Sequence, residues 1–307
     1  ARPPRAVPPF AMPPRSPAIP SPRPPAARRR PPPWPPRHAA ITGGSSGIGL
    51  AMARALAAEG AALTLFARDA DRLMAAREIL LAETPDLAVA ILAVDVTDPV
   101  AVAAGLARAE AAQGPVDFAV ACAGAVRAAR VEDLPPSAYA DLMAVNFFGA
   151  LNLARPALAA MREAGEDGAA GPRGGRILLV GSAAGLMGLP GYAAYAPAKF
   201  ALRGLAESLR WEAAQDGVGI HIAHPPDTET PMLAAERRDR PPELAALAGT
   251  AGAWSAESVA AALLRGVARG RFDIPVGLTA WAMLRLAPAV RPLVDAVLDR
   301  VAARARR

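Results

Sequence analysis

Cysteine and histidine are scarce in this chain of 307 residues. Cys122 is the only cysteine, which excludes an internal disulfide and suits a reducing compartment. His221 and His224 flank the end of a predicted strand, but no cysteine or other suitably placed ligand accompanies them. We therefore expect no metal site.

Lysine is almost absent, and acidic residues are missing from one end. Lys199 is the only lysine among 34 basic residues, which suggests that its position needs a compact ammonium rather than a guanidinium. Residues 1–37 hold eight arginines and no acidic residue, so the rest of a chain with net charge +6 is slightly negative. The basic character belongs to this segment, and we expect no nucleic-acid partner.

The first 37 residues differ from the rest in composition. Residues 1–36 contain 16 of the 33 prolines, and they offer too little apolar surface to offset the entropy of ordering. We expect a disordered Pro/Arg-rich tail over 1–37. It has no uninterrupted apolar stretch typical of a secretory signal, so we expect a cytoplasmic location.

From residue 38 onward, short apolar segments alternate with Ala- and Leu-rich helical patterns. Strands are predicted at 39–41, 62–66, 89–94, 116–121, 176–180 and 219–223, and helices between them at 48–59, 71–82 and 99–113. Strands that are apolar on both faces indicate a parallel sheet covered on both sides. We predict one α/β domain over 38–273, with a Rossmann-type doubly wound sheet and its ligand at the carboxyl ends of the strands.

A glycine-rich turn follows the first predicted strand and opens a helix. Such turns let the backbone approach a pyrophosphate, which then meets the positive end of the helix dipole. The spacing resembles the turn of the short-chain dehydrogenase/reductase family. The resemblance implies cofactor contacts by Thr42, Gly43, Ser45, Ser46, Gly47, Ile48 and Gly49.

Arg68 indicates which nicotinamide cofactor is bound. NAD-preferring relatives usually carry an acidic residue after the second strand, whereas this chain has Ala67 followed by Arg68. A guanidinium can bind a 2′-phosphate that a carboxylate would repel, so we expect NADPH/NADP+. Arg68 as a solvated residue at a helix start remains the alternative.

Tyr195 and Lys199 are four residues apart, which places both on one face of a helix. We expect Tyr195 to donate a proton, Lys199 to lower the pKa of Tyr195, and Ser182 to bind the carbonyl oxygen. Both Tyr195 and Lys199 also count as cofactor contacts, Lys199 through the ribose hydroxyls. Pro197, between them, is tolerated only in a first helical turn.

The family resemblance implies further roles. Asn146 resembles the residue that holds a water in the proton relay, although a satisfied buried amide is the alternative. Cofactor contacts are also implied for Asp95, Val96, Ala123 and Gly124. The family is commonly dimeric or tetrameric, so a homo-oligomer is expected.

The segments 181–188, 195–207 and 224–231 resemble the 3-ketodihydrosphingosine reductases within this family. This narrower resemblance implies that Pro225, Thr228 and Thr230 contact the nicotinamide end of the cofactor, and that the substrate is a lipophilic ketone with a sphingoid chain. The alternatives are another lipophilic ketone (a steroid, a retinoid or a 3-oxoacyl thioester) and a non-catalytic NADPH-binding scaffold.

Residues 274–307 are apolar and basic. Their longest uncharged run, 274–284, is too short to span a bilayer. They suit an interfacial segment on the cytoplasmic face of a membrane, or a helix pair that closes the substrate site or joins two subunits. We interpret residues 231–254 as a substrate lid.

Overall fold

The structure, a computed structural model, describes residues 31–163, 174–248 and 252–305. Its centre is a seven-stranded parallel sheet with strand order β3-β2-β1-β4-β5-β6-β9. The strands are β1 His38–Thr42, β2 Ala62–Ala67, β3 Val89–Ala93, β4 Phe118–Ala121, β5 Gly175–Val180, β6 Val218–His224 and β9 Asp273–Pro275. A separate parallel pair is formed by β7 Thr228–Glu229 and β8 Trp254–Ser255.

Helices cover both faces of the sheet. Alternate strand residues face opposite sides: Ala39 and Ile41 belong to one buried apolar cluster, and Ala40 belongs to the other. The first cluster is completed by α1 Gly47–Ala58, α2 Ala70–Glu83 and α9 Ala256–Ala268. The second is completed by α3 Pro99–Gln113, α5 Gly149–Glu163 and α6 Tyr195–Ala213. The predicted doubly wound α/β fold is confirmed.

The six predicted strands and three predicted helices are all present, with ends that differ by at most two residues. The seventh strand, β9, was missed because three residues are too few to show a period. It pairs with β6 through Ile222 and Asp273. The boundary placed after residue 273 therefore falls inside the last strand of the sheet.

The end of the predicted tail is ordered. Residues 1–30 lie outside the described residues, but Trp34 packs edge-on against Phe118 with ring centroids 5.7 Å apart. The guanidinium of Arg176 lies 5.7 Å from the centre of the Trp34 ring, and Pro36 is buried. The prediction of disorder is thus wrong for residues 31–37, because this indole packs against the core.

A long apolar helical run crosses the back of the sheet. It joins α4 Pro136–Met143, a π-helical turn at Ala144–Phe148 and α5. Within the described chain, only this run is long and apolar enough to cross a membrane, and 44% of its apolar window is buried inside the fold. Its place in the second buried cluster is that of a core helix.

Four helices form a roof at the carboxyl ends of the strands: α7 Pro231–Asp239, α8 Pro242–Ala248, α10 Gly277–Arg285 and α11 Ala287–Ala305. Thr230 caps α7 by accepting a hydrogen bond from Leu233 N at 3.2 Å, and Pro231 follows at the first helical position. Helix α11 packs against α8 and α10. The region interpreted as a lid is therefore largely helical where it is described.

Candidate active site

A cavity of about 710 Å³ opens under this roof, at the carboxyl ends of the strands. Its position agrees with the location expected for a ligand in an open parallel sheet. Most residues of the predicted site line it: Gly43, Ser45, Ser46, Gly47, Ile48, Gly49, Arg68, Asp95, Val96, Ala123, Gly124, Asn146, Ser182, Tyr195, Lys199, Pro225, Thr228 and Thr230.

The glycine-rich turn is packed so closely that side chains are excluded from it. A Cβ on Gly43 would lie 2.9 Å from Ala123 Cα, and one on Gly49 would collide with the Gly43 carbonyl oxygen. Gly43 also has a φ of 70°, which favours glycine. The backbone of this turn is therefore open to a ligand on the cavity side.

The amino end of α1 has no side-chain cap. Ser46 is the N-cap residue but accepts no hydrogen bond there, and the first turn has no acidic residue. By contrast, Asp69, Asp98 and Ser255 cap α2, α3 and α9 through their side chains. The uncapped N–H groups and the positive dipole end of α1 fit the pyrophosphate of a dinucleotide.

Two arginines stand at the end of this cavity beside β2. Arg68 and Arg72 are both exposed and both line it. Asp95 accepts hydrogen bonds from Thr97 N and Thr97 Oγ1, each at 2.9 Å, which lower the pKa of Asp95. Arg72 was missed from the sequence because it lies inside a helix, four residues beyond the position that the family pattern marks.

Thr42 is the one predicted cofactor contact that does not line the cavity. It is buried, and its hydroxyl donates to Val120 O at 3.3 Å and accepts from Cys122 N at 3.1 Å. Thr42 therefore links the end of β1 to the end of β4 and stabilises the glycine turn from inside the fold. The hydroxyl is used inside the fold, and a direct contact of Thr42 with the cofactor stays a prediction.

Ser182, Tyr195 and Lys199 converge on the cavity wall. The Ser182 side chain hydrogen-bonds Tyr195, and Lys199 Nζ lies 5.7 Å from the centre of the Tyr195 ring. Tyr195 opens α6, so Pro197 occupies the first turn as predicted. Burial raises the pKa of Tyr195, opposed by the Ser182 hydrogen bond. The expected lowering of this pKa by Lys199 is not found, because the groups that shift it are Ser182, Glu236 and Asp227.

Lys199 is a buried cation with few partners. Nζ donates to Val180 O at 3.0 Å, and burial lowers the pKa of Lys199 to about 8. Its other donors face the cavity that it lines. Burial also raises the pKa of the Cys122 thiol to about 11, so this thiol stays protonated and acts as a packing group.

Asn146 lies in the π-helical turn between α4 and α5. Its amide donates to Ala125 O at 2.8 Å and to Leu142 O at 2.9 Å, while Oδ1 accepts from Ala125 N at 3.3 Å. A Cβ on Gly124 would lie 3.0 Å from Asn146 Oδ1 and 3.8 Å from Lys199 Nζ, so both atoms lie close to Gly124. Any bound water would be held through Oδ1, since both amide protons are donated to carbonyls.

The loop after β6 approaches the glycine turn. Thr228 Oγ1 donates to Pro226 O at 2.9 Å, and Thr230 Oγ1 donates to Thr228 O at 3.1 Å. A Cβ on Gly47 would lie 2.8 Å from Thr230 Cγ2. Both hydroxyls thus shape the loop, and the part of Thr230 nearest the turn is its methyl group.

The sequence predicted a lid over 231–254 and, as one alternative, a helix pair over 274–307 that closes the substrate site, but it did not indicate which side chains line the roof side of the cavity. Apolar side chains from four helices line it, and a polar cluster lies among them. The apolar set is Met232, Leu233, Leu244, Leu247, Met283, Val297, Leu298 and Val301, and the polar set within the lining is Tyr192, Asp227 and Glu236. No local motif marks these residues, since they come together only when α7, α8, α10 and α11 pack.

Neither His221 nor His224 reaches the cavity. His221 Nδ1 pairs with Arg271 O at 2.6 Å, and His224 Nε2 pairs with Asp273 Oδ1 at 3.0 Å. Both hydrogen bonds connect β6 to β9 or to the residues just before it. In the described ranges, no three His, Cys, Asp or Glu side chains are grouped so that they could hold a metal ion.

Comparisons with known proteins agree with this geometry. The profile of the short chain dehydrogenase family matches residues 37–241. The chain is 36% identical to the 3-ketodihydrosphingosine reductase of Bos taurus over 261 residues, which cover 84% of this chain and 76% of the relative. It is 35% identical to the 3-dehydrosphinganine reductase of Danio rerio, with the same coverage.

A solved structure shares the fold. The alcohol dehydrogenase of the archaeon Thermococcus sibiricus, complexed with 5-hydroxy-NADP, superimposes with a TM-score of 0.65 at 26% identity. The match covers 78% of this chain and 95% of that protein. That structure shows the same type of fold with a nicotinamide cofactor bound.

Proposed function

On the premise that this chain belongs to the short-chain dehydrogenase/reductase family, we propose that it reduces the ketone of 3-ketodihydrosphingosine to the secondary alcohol of dihydrosphingosine, a step of sphingolipid synthesis. NADPH supplies the hydride when bound. The observation that carries the proposal is the convergence of Ser182, Tyr195 and Lys199 on one cavity wall, beside an uncapped helix and two arginines.

Tyr195 holds the proton that the reaction needs. Because its pKa is raised, the phenol is fully protonated near neutral pH and available as a donor. The alkoxide formed on a reduced ketone is a stronger base than a phenolate, so transfer from Tyr195 is favourable. Ser182 holds the carbonyl oxygen beside Tyr195, and Lys199, which uses one donor on Val180 O, keeps its others for the ribose hydroxyls of the cofactor.

The roof fits a substrate with a long aliphatic chain. Its apolar side chains come from α7, α8, α10 and α11, and burial of each methylene contributes about 0.8 kcal/mol. A steroid, a retinoid or a 3-oxoacyl thioester would share this apolar requirement. The relatives named above favour the sphingoid ketone.

The test is turnover of 3-ketodihydrosphingosine in detergent or liposomes, followed by the loss of NADPH absorbance. We expect turnover with NADPH, and a loss of about a thousandfold in Tyr195→Phe with NADPH binding retained. The rival ketones serve as a substrate panel. Tight NADPH binding without turnover of the sphingoid ketone would overturn the substrate assignment.

We also propose that the roof contacts the cytoplasmic face of a membrane. Leu286, Val290 and Leu293 are exposed between the end of α10 and the first half of α11, which bends at Val290. Leu278 and Trp281 add exposed apolar surface on α10. Arg285, Arg300 and Arg304 supply positive charge toward anionic lipid, while Arg306 and Arg307 lie outside the described residues.

Liposome co-sedimentation tests this contact. We expect binding to anionic vesicles that weakens in a Leu278→Asp, Leu293→Asp double variant, whose positions are 78% and 68% exposed. Val100→Asp is the matched control, because Val100 is 75% exposed and lies on α3, which is not one of the roof helices. Equal sedimentation of all three proteins would contradict the proposal. Light scattering on the same samples tests the proposed homo-oligomer.

A further inference from the structure

Four polar side chains form a cluster beside Tyr195 in the cavity wall. Glu236 Oε1 accepts hydrogen bonds from the Tyr192 hydroxyl at 2.6 Å and from Arg240 Nε at 2.7 Å. Arg240 Nη2 also donates to Asp227 Oδ2 at 2.7 Å. The rings of Tyr192 and Tyr195 are 5.3 Å apart, so this cluster adjoins the phenol that donates the proton.

The cluster holds two carboxylates and one guanidinium. The side chains of Glu236 and Arg240 are only 5% and 7% exposed, and a charge so buried is costly unless it is paired. Arg240 can balance only one of the two carboxylates. A net negative charge therefore remains within this cluster.

Each carboxylate keeps one oxygen for a ligand. In the described part of the chain, the hydrogen bonds to Glu236 end on Oε1 and the one to the Asp227 carboxylate ends on Oδ2. Within the described residues, Glu236 Oε2 accepts no hydrogen bond, and this atom is not fully buried. It therefore reaches the cavity that Glu236 lines. Tyr192 and Arg240 act as positioning residues that hold the carboxylates in place.

We propose that Glu236 and Asp227 form a subsite for a primary ammonium on the carbon next to the substrate ketone. This inference rests on the proposed function, because 3-ketodihydrosphingosine carries its amino group at that carbon. A carbonyl oxygen held by Ser182 and Tyr195 brings the neighbouring ammonium toward the cluster. Other lipophilic ketones lack this group, so the subsite selects among them.

The subsite also acts on Tyr195. The negative charges of Glu236 and Asp227 add to burial in raising the pKa of Tyr195. A bound ammonium offsets this charge and so makes the phenol a better acid. An amino ketone thereby assists its own reduction, and the gain is expected in kcat as well as in KM.

The experiment compares 3-ketodihydrosphingosine with the ketone of equal length that lacks the amino group. We expect the wild type to prefer the amino ketone in kcat/KM by about tenfold or more, since a hydrogen bond to a charged group is worth that much. Glu236→Gln and Asp227→Asn should lower kcat/KM for the amino ketone by about 10- to 100-fold, but should not lower kcat/KM for the other ketone, because loss of a negative charge makes Tyr195 a better acid. Glu229→Gln is the control, because that carboxylate is exposed and pairs with Arg237 outside the cavity.

Binding of a long-chain primary amine and the matching alcohol is measured on the same proteins. Equal losses for both ketones in the variants, or no preference in the wild type, would overturn the subsite while the reductase stands. If the wild type reduces neither ketone yet binds the amine better than the alcohol through Glu236, the proposed function fails and the subsite is supported. Absence of that binding preference overturns the subsite.

Discussion

Arg68 and Arg72 provide a residue-scale test of cofactor choice. Both line the cavity near the end of β2, and neither has a resolved ion-pair partner among the described residues. A charge-assisted hydrogen bond to phosphate is worth about 1.5–3 kcal/mol. We expect Arg68→Ala and Arg72→Ala each to raise KM for NADPH by about tenfold or more while leaving KM for NADH nearly unchanged.

Initial-rate kinetics with both cofactors check this prediction. Arg77→Ala is the matched control, because Arg77 is exposed on α2, the helix that carries Arg72, and does not line the cavity. An equal rise in KM for NADPH and for NADH would show that the two arginines support the local structure rather than bind a 2′-phosphate.

Lys199 shows how a residue needed for chemistry can weaken the fold. Its pKa is lowered to about 8 in the folded chain, so protonating it costs free energy there but not in the unfolded chain. We expect Lys199→Met to abolish turnover and to raise the free energy of unfolding at about pH 7 by roughly 2 kcal/mol, after allowing for the lost bond to Val180 O.

The titration of Lys199 makes the free energy of unfolding depend on pH. Above the folded pKa of about 8 the folded chain loses the proton while the unfolded chain keeps it. Wild-type stability from this group therefore rises with pH from about 8 to about 10.5, and the advantage of Lys199→Met shrinks over that range. Urea unfolding at about pH 7 and pH 9.5 measures it, with Tyr195→Phe as the uncharged control. If the stability gained by Lys199→Met were the same at both pH values, improved packing rather than loss of the buried charge would be its cause.

At the scale of elements, the glycine turn and helix α6 give opposite expectations for the same substitution. A Cβ on Gly49 would meet the Gly43 carbonyl, whereas nothing lies within 4 Å of one on Gly204 in α6. Gly49→Ala should therefore displace the turn and lower the affinity for NADPH by at least about tenfold. Gly204→Ala should stabilise the chain by about 1 kcal/mol, because alanine is the better helix former.

Titration of NADPH fluorescence and thermal unfolding separate the two effects. Retained affinity in Gly49→Ala would show that the turn can relax around a methyl group. A loss of stability in Gly204→Ala would place an unseen neighbour, such as a second subunit, against that face of α6.

The elements that sequence patterns predict well are those with a local physical signal. The strands and helices from β1 to β6 are marked by runs of apolar residues, by Asp69 and Asp98 as caps of α2 and α3, and by the closely packed glycines of the turn. Tyr195 and Lys199 are likewise joined by helical spacing. Strand β9 and the cluster around Glu236 carry no such signal, because they depend on pairing between distant segments.

At the scale of the whole molecule, the segment before β1 and the helices α10 and α11 pack against the two ends of the domain. Trp34 packs on Phe118 at one end of the sheet, and α10 and α11 close the cavity at the other. The family profile ends at residue 241, so α10 and α11 lie beyond the part that this profile matches. The common domain thus holds the groups for reduction, while the roof holds much of the surface for an aliphatic chain.

Removal of α11 tests this division. Because the sheet is complete at Pro275, a chain that ends after Arg285 should keep its fold and its affinity for NADPH. Loss of Val297, Leu298 and Val301 from the lining would expose roughly two or three methylenes of a long-chain ketone. At about 0.8 kcal/mol each, kcat/KM for that ketone should fall by roughly 30-fold.

The matching measurement uses a short-chain amino ketone that does not reach α11. Its kcat/KM should change little in the truncated chain, and a chain that ends after Ala305 should behave as the full chain does. Circular dichroism and NADPH titration confirm that the truncated protein is folded. An equal loss for short and long ketones would place α11 in the support of Tyr195 rather than in chain binding, because only a defect at the reacting groups affects every substrate alike.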